Sequence, residues 1–327
     1  MLEKSTFEKL YGEGLISPES MEKIRSLPAR EPLNLYWEIR TILYAGVLLV
    51  TGGLGLWIYK NLESLGHLVI LTGVALLGLG CFVYCFLRRA PFSWGKSWSP
   101  DGLFDYLLLL GCLLFLIFIG YWQYAYHVFG DRYGLESFIP MVVFFFCAYY
   151  FDSMGVLGLA ISNLAAWVGI TVTPNRLLKD NDFNSSTLIV TALLLGILLL
   201  LVGKLTQRWK IKSHFEPAYT NFGLHMTFIA SLAGLFHFDN QYGWWLLLLS
   251  IPTLYFYRES IRNRSFYQVL VLTLYFYCGM SYAFLRLMHQ LGMSISAQIY
   301  AGCFYFIGSA IAMVYFLMDR NQKIRQL

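Results

Sequence analysis

The sequence predicts an all-α fold: a polytopic integral membrane helix bundle with about ten transmembrane helices and a short cytoplasmic N-terminal helical hairpin. Three observations predict it. Of the 327 residues, 57% are hydrophobic and only 13% are charged, against about 45–50% and about 25% in soluble domains. Uncharged runs of helical length recur along the chain, and Lys and Arg concentrate in alternate connectors. This composition excludes a disordered chain, a secreted disulfide scaffold and a standard soluble enzyme.

The first element is the hairpin, residues 1–38. Phe7, Leu10 and Tyr11 suggest a short amphipathic helix that stops near Gly12–Gly14. Ser17, Pro18 and Glu19 then form an N-cap, a proline at the first helical position and an early acid, opening a second helix through Leu27. Pro28 and Pro32 close it. No apolar core or cleavage site of a signal peptide precedes it. Such a hairpin either lies against the cytoplasmic face or binds a protein partner.

Ten runs free of Lys, Arg, Asp and Glu follow: 41–59, 64–87, 106–130, 137–151, 153–175, 183–203, 218–238, 240–257, 265–285 and 287–318. Most exceed the roughly 18–20 residues that cross a hydrocarbon core about 30 Å thick. Lipid offers no partners to the backbone, so each run is expected to be a helix. The run 137–151 is short, with Pro140 near its start. The last run is too long, and its helix is expected to begin near Ser296 or Gln298. These spans define a membrane domain over 39–318, followed by a cytoplasmic basic tail, 319–327.

The charges orient the spans. Segments 1–40, 88–105, 152, 204–217, 258–264 and 319–327 carry 19 of the 24 Lys and Arg; Lys60, Arg132, Arg176, Lys179 and Arg286 lie in the others. Cytoplasmic retention of positive loops produces this bias. Both termini are therefore expected in the cytoplasm and the chain in a bacterial inner membrane.

The hairpin and first span also carry a family pattern. Gly14, Leu15, Ile16, Ser17 and Glu19 stand in the hairpin, and Gly46, Gly52, Gly53, Trp57 and Asn61 in and after the first span. Over about the first third, the chain resembles bacterial predicted membrane proteins of the domain-of-unknown-function family 2157. It departs from the family's Asn-Trp pair, since Leu62 follows Asn61. The resemblance implies a membrane topology and no particular reaction.

Polar groups inside spans are costly and mark candidate sites. Asn163 falls near the middle of the fifth span, and Asn221 and His225 share one face of the seventh, four residues apart. Asp105 opens the third span, Asp152 separates the fourth and fifth, and Glu216 precedes Pro217. These six residues are the candidate substrate-binding set of a cytoplasm-facing cavity, with His225 able to change charge near neutral pH. The alternative is that Asn163 and His225 bond neighbouring helices while the acids favour helix N-termini. On the opposite side, His67, His127, His237 and His289 lack metal-ligand spacing.

Small residues at Gly158, Ser162 and Ala166, and glycines in the first, second and tenth spans, suggest close packing or helices that slide around a substrate. The six cysteines lie in apolar runs without a CxxC motif and read as packing residues. No cofactor or metal motif is present. The partners expected are membrane lipids and a protein at residues 1–38, and not nucleic acid. The function expected is a permease or channel-like protein for a small or lipid-like solute. The alternatives are a structural or assembly factor acting through the hairpin and, more remotely, a membrane-embedded lipid enzyme; paired carboxylates or nucleophile–base spacings that would support catalysis are missing.

Overall fold

The computed structural model describes residues 10–26, 36–60, 66–97, 101–130, 134–172 and 185–326. Two compact units emerge, Met1–Leu56 and Trp57–Leu327. Phe7, Pro28 and Pro32 of the expected hairpin lie outside the described residues, as do Asn61 and Leu62.

In the first unit, a helical turn ends at Gly14, whose φ of 73° lets the next N–H, of Leu15, donate back to the Leu10 carbonyl at 3.0 Å. Helix α1 (Pro18–Ser26) starts as the sequence predicts. Ser17 Oγ accepts from the Ser20 backbone N–H at 3.3 Å and pairs with the Ser20 hydroxyl at 2.9 Å. Helix α2 (Tyr36–Lys60) follows.

The second unit continues with α3 (His67–Arg88), α4 (Phe104–Tyr126), α5 (Leu135–Phe151), α6 (Met154–Val172), α7 (Ser186–Trp209), α8 (Glu216–His237), α9 (Tyr242–Arg262), α10 (Phe266–Gln290) and α11 (Ile295–Gln326). The long helices α2–α11 correspond to the ten expected runs, and α11 begins next to its expected start. Among the described residues there is no strand. This is an all-α membrane helix bundle.

Among the described residues, seven helices, α2, α3, α4, α6, α7, α10 and α11, are long and apolar enough to cross a membrane. Helix α5 is apolar but only 17 residues long, with Pro140 buried in its second turn. Helices α8 and α9 have 22 and 21 residues, but Asn221 and His225 in one, and Tyr and Trp residues in the other, lower their hydropathy. The reason lies in packing. Helix α8 buries Tyr219, Thr220, Gly223, Leu224, Thr227, Phe228, Ala230, Ser231, Gly234 and Leu235. A helix that faces protein can carry hydroxyls that a lipid-facing one cannot.

The tightest crossing joins α7 to α8. A Cβ added to Gly196 would stand 2.7 Å from the Thr227 nitrogen, and one on Gly223 would stand 2.9 Å from the Leu200 nitrogen. Backbone therefore meets backbone. Of the glycines singled out in the second and tenth spans, Gly73, Gly80 and Gly308 face open space, while a Cβ on Gly78 would meet Leu114 at an ordinary 3.5 Å. Below the crossing, Leu224, Phe228, Leu249, Phe256 and Leu272 form an apolar cluster shared by α8, α9 and α10.

Candidate functional site

The six sequence-predicted site residues fall in three places. Asp152 belongs to a buried ionic junction. It caps α5 in the left-handed conformation, φ 62°, which Asp tolerates better than most side chains. The next residue's N–H closes on the Ala148 carbonyl at 3.1 Å, so α5 turns into α6 through a single linking segment. This turn aims the carboxylate at the connector between α7 and α8. There Lys210 and Lys212 adopt φ of 57° and 48°, folding the connector back before a short 3₁₀ turn, Ser213–Phe215.

Asp152 Oδ1 receives the Lys212 ammonium at 3.1 Å and His214 Nε2 at 2.6 Å. The Ser97 N–H donates to its other oxygen. The side chains of Lys212 and Asp152 are 1% and 3% exposed, so the pair is sealed from water. The Lys212 N–H donates to the Trp94 carbonyl at 2.9 Å, and its ammonium lies 5.4 Å from the centre of the Phe92 ring. Three connectors that the charge bias assigns to one side thus meet at one carboxylate. A buried charge persists only when paired and hydrogen-bonded, and both conditions hold here.

Asn221 and His225 form the second place, a polar seam between α8 and α10. His225 Nδ1 lies 2.8 Å from the Tyr275 hydroxyl, and Nε2 lies 2.9 Å from the Tyr267 hydroxyl. The Gln268 amide donates to Asn221 Oδ1 at 3.4 Å, and the Ser260 hydroxyl donates to Gln268 Oε1 at 3.2 Å. Sequence reasoning missed these tyrosines. Tyr267 and Tyr275, eight apart, share a face of α10, but that spacing does not pair the face with His225.

The remaining residues sit at helix ends or turn inward. Asn163 is buried, and its amide donates to the Leu159 carbonyl of its own helix at 3.0 Å. Glu216 opens α8 and accepts from the Thr220 hydroxyl at 2.7 Å. Asp105 sits in the first turn of α4, where a carboxylate favours the helix dipole.

A groove of 730 Å³ opens between α6, α7 and α8. Its lining includes Ser162, Ala165, Ala166 and Gly169 of α6, Ala192 of α7, and Ala230 and Ala233 of α8. Small residues at helical spacing leave this space, rather than draw two helices together. His225 is the ionisable side chain in the lining, beside Phe222, Met226 and Ile229. Asn163 is not in the lining, although its neighbour Ser162 is.

At the opposite end of the bundle the contacts among the described residues include hydrogen bonds and ring contacts. His67 Nδ1 meets the Tyr121 hydroxyl at 2.8 Å, and His237 Nε2 meets the Ser186 hydroxyl at 2.8 Å. The Arg286 guanidinium lies 4.5 Å from the centre of the Tyr242 ring. Among the described residues, no group of three His, Cys, Asp or Glu could hold a metal.

Residues 8–157 match the family described as predicted membrane protein DUF2157. No curated protein and no solved structure matches the chain. The DUF2157 match runs from the N-terminal hairpin to the first turn of α6 and includes Asp152. It stops short of Lys212, His214 and His225, and of the α7–α8 crossing. The DUF2157 description assigns a membrane protein and no reaction. The chain is an integral membrane protein, and lipid is its surrounding medium.

Proposed function

We propose that this protein is a permease or channel-like protein of a bacterial inner membrane, and that it takes a lipid-like solute into the groove between α6, α7 and α8. One observation carries the reading: a 730 Å³ space lined by small and apolar residues with a single imidazole in it. That volume falls within the roughly 300–1,000 Å³ of small-molecule sites. An apolar wall with one polar handle suits an amphipathic molecule better than a hydrated ion. His225 would hold the polar end, its ring fixed by Tyr267 and Tyr275. Asn221 would position α10 through Gln268. Asp152, Asp105, Glu216 and Asn163 would shape the bundle around the groove. The topology that goes with this reading has ten spans and both termini in the cytoplasm. It is supported by the meeting of residues 94–97, 152 and 212–214, three segments that the charge bias puts on one side.

The test uses the full chain in vesicles with a photoreactive fatty acid. The label is expected on residues 161–170 and 222–233, and Ala166→Trp, which fills the groove, should abolish it. Labelling spread over all helices, or untouched by Ala166→Trp, would overturn the proposal. A second reading is an assembly role through the cytoplasmic unit 1–38, favoured by the clustering of Met1–Leu56 as a compact unit of its own. Under it, deletion of residues 1–35 removes function and groove variants do not.

A further inference from the structure

Helix α9 carries an exposed row whose chemistry changes along its length. Leu247, Ile251 and Leu254 are 50%, 63% and 65% exposed, and Arg258 and Arg262 continue the row in steps of four. Residues three and four apart share a helix face. At a rise of about 1.5 Å per residue the row extends about 22 Å. Its lower part is apolar and its upper part cationic.

An open pocket of 570 Å³ lies at the cationic end, lined by Leu254, Tyr255, Arg258, Glu259 and Arg262. Lys204 of α7 reaches the same place. Its ammonium bonds Glu259 Oε1 and stands 5.9 Å from the centre of the Tyr255 ring. Arg262 lies 3.8 Å from the same carboxylate, with its side chain 78% exposed. Arg258 has no carboxylate partner among the described residues. Three cations thus surround one acid, and the acid is already engaged by two of them.

We infer that this pocket binds the headgroup of an anionic phospholipid, with the phosphate between Arg258 and Arg262 and one acyl chain along Leu254, Ile251 and Leu247. A guanidinium presents paired donors that match phosphate oxygens. Positive charge beside a membrane surface attracts anionic lipid. The apolar row separates a lipid from a free phosphate, because only a lipid has a chain to lay along it. The inference is independent of the groove between α6, α7 and α8: it concerns a different face and different residues.

The experiment is native mass spectrometry of the full detergent-solubilised chain, titrated with phosphatidylglycerol or phosphatidylcholine. The expected result is at least a tenfold preference for phosphatidylglycerol, about 1.4 kcal/mol. Arg258→Gln with Arg262→Gln should remove that preference, while Arg88→Gln with Arg264→Gln, an equal loss of charge elsewhere, should keep it. These arginines are exposed, so folding is not at stake; the melting temperature of each variant checks this. Equal retention of the two lipids would overturn the inference. So would equal loss in the control with Arg88→Gln and Arg264→Gln, or displacement of phosphatidylglycerol by inorganic phosphate at the same concentration.

Discussion

The two ends of the bundle are held together by different chemistry. At one end Asp152, Lys212 and His214 form a sealed ionic junction, and Lys204 pairs with Glu259 nearby. At the other, His67 meets Tyr121 and His237 meets Ser186 through single hydrogen bonds open to solvent. The difference follows from where the cations are. A chain that concentrates Lys and Arg in alternate connectors, 19 of 24, puts most of the cations available for pairing at one end. Once Lys212 is buried, its carboxylate becomes obligatory, because an unpaired buried ammonium costs several kcal/mol. The contacts described at the other end, hydrogen bonds and ring contacts, are weaker and more replaceable.

The comparison breaks most directly at Asp152. Asp152→Asn leaves Lys212 buried without a counter-charge and should cost about 3–5 kcal/mol, read as a large fall in melting temperature in detergent. Asp152→Leu with Lys212→Met should recover much of that loss, since an apolar pair of similar volume has no charge to desolvate. A double variant as damaged as Asp152→Asn would show that packing, not charge, holds the junction.

The middle of the bundle supplies a reference of intermediate size. Gly196→Ala drives a methyl against the Thr227 backbone and should cost about 1–3 kcal/mol. Gly73→Ala and Gly308→Ala meet open space and should cost nothing. Equal melting temperatures for all three would refute the backbone-to-backbone crossing.

At the neutral end, His237→Ala removes one exposed hydrogen bond and should cost about 0.5–1.5 kcal/mol. A loss as large as that of Asp152→Asn would erase the contrast between the ends. The smallest effect is expected at Asp101. The Tyr84 hydroxyl donates to its carboxylate at 2.7 Å and holds the carboxyl below the ordinary range. A depressed carboxyl stabilises the fold above its unfolded pKa, near 4, and loses that contribution as pH falls through the folded value. Asp101 is only half-buried, so wild type and Asp101→Asn should differ slightly at neutral pH and converge under acid, in melting curves taken across pH.

Much of the architecture was legible. The ends of the uncharged runs gave the helices, because hydrophobic length and backbone satisfaction in lipid are local properties. Ser17 and Gly14 marked a start and a stop through short-range hydrogen bonds. The site was legible only in part. Asp152 and His225 were visible as polar residues in apolar surroundings, but Lys212, His214, Tyr267 and Tyr275 were not connected to them. Those partners lie between 42 and 62 residues away, and nothing in spacing brings them together. The glycine stripes misled for a related reason. A small residue in α6 and a small residue in α7 look alike in sequence, yet one leaves a groove and the other admits a backbone.

By itself, the sequence determined that this chain is helical, lives in lipid and carries its positive charge in alternate connectors. Each of those follows from the free energy of moving one segment between water and hydrocarbon. The tertiary structure alone decided which helix faces meet, where a buried carboxylate finds its cations and where small side chains leave a space. Those outcomes depend on the rotation and separation of helices distant in sequence, which no segment encodes on its own.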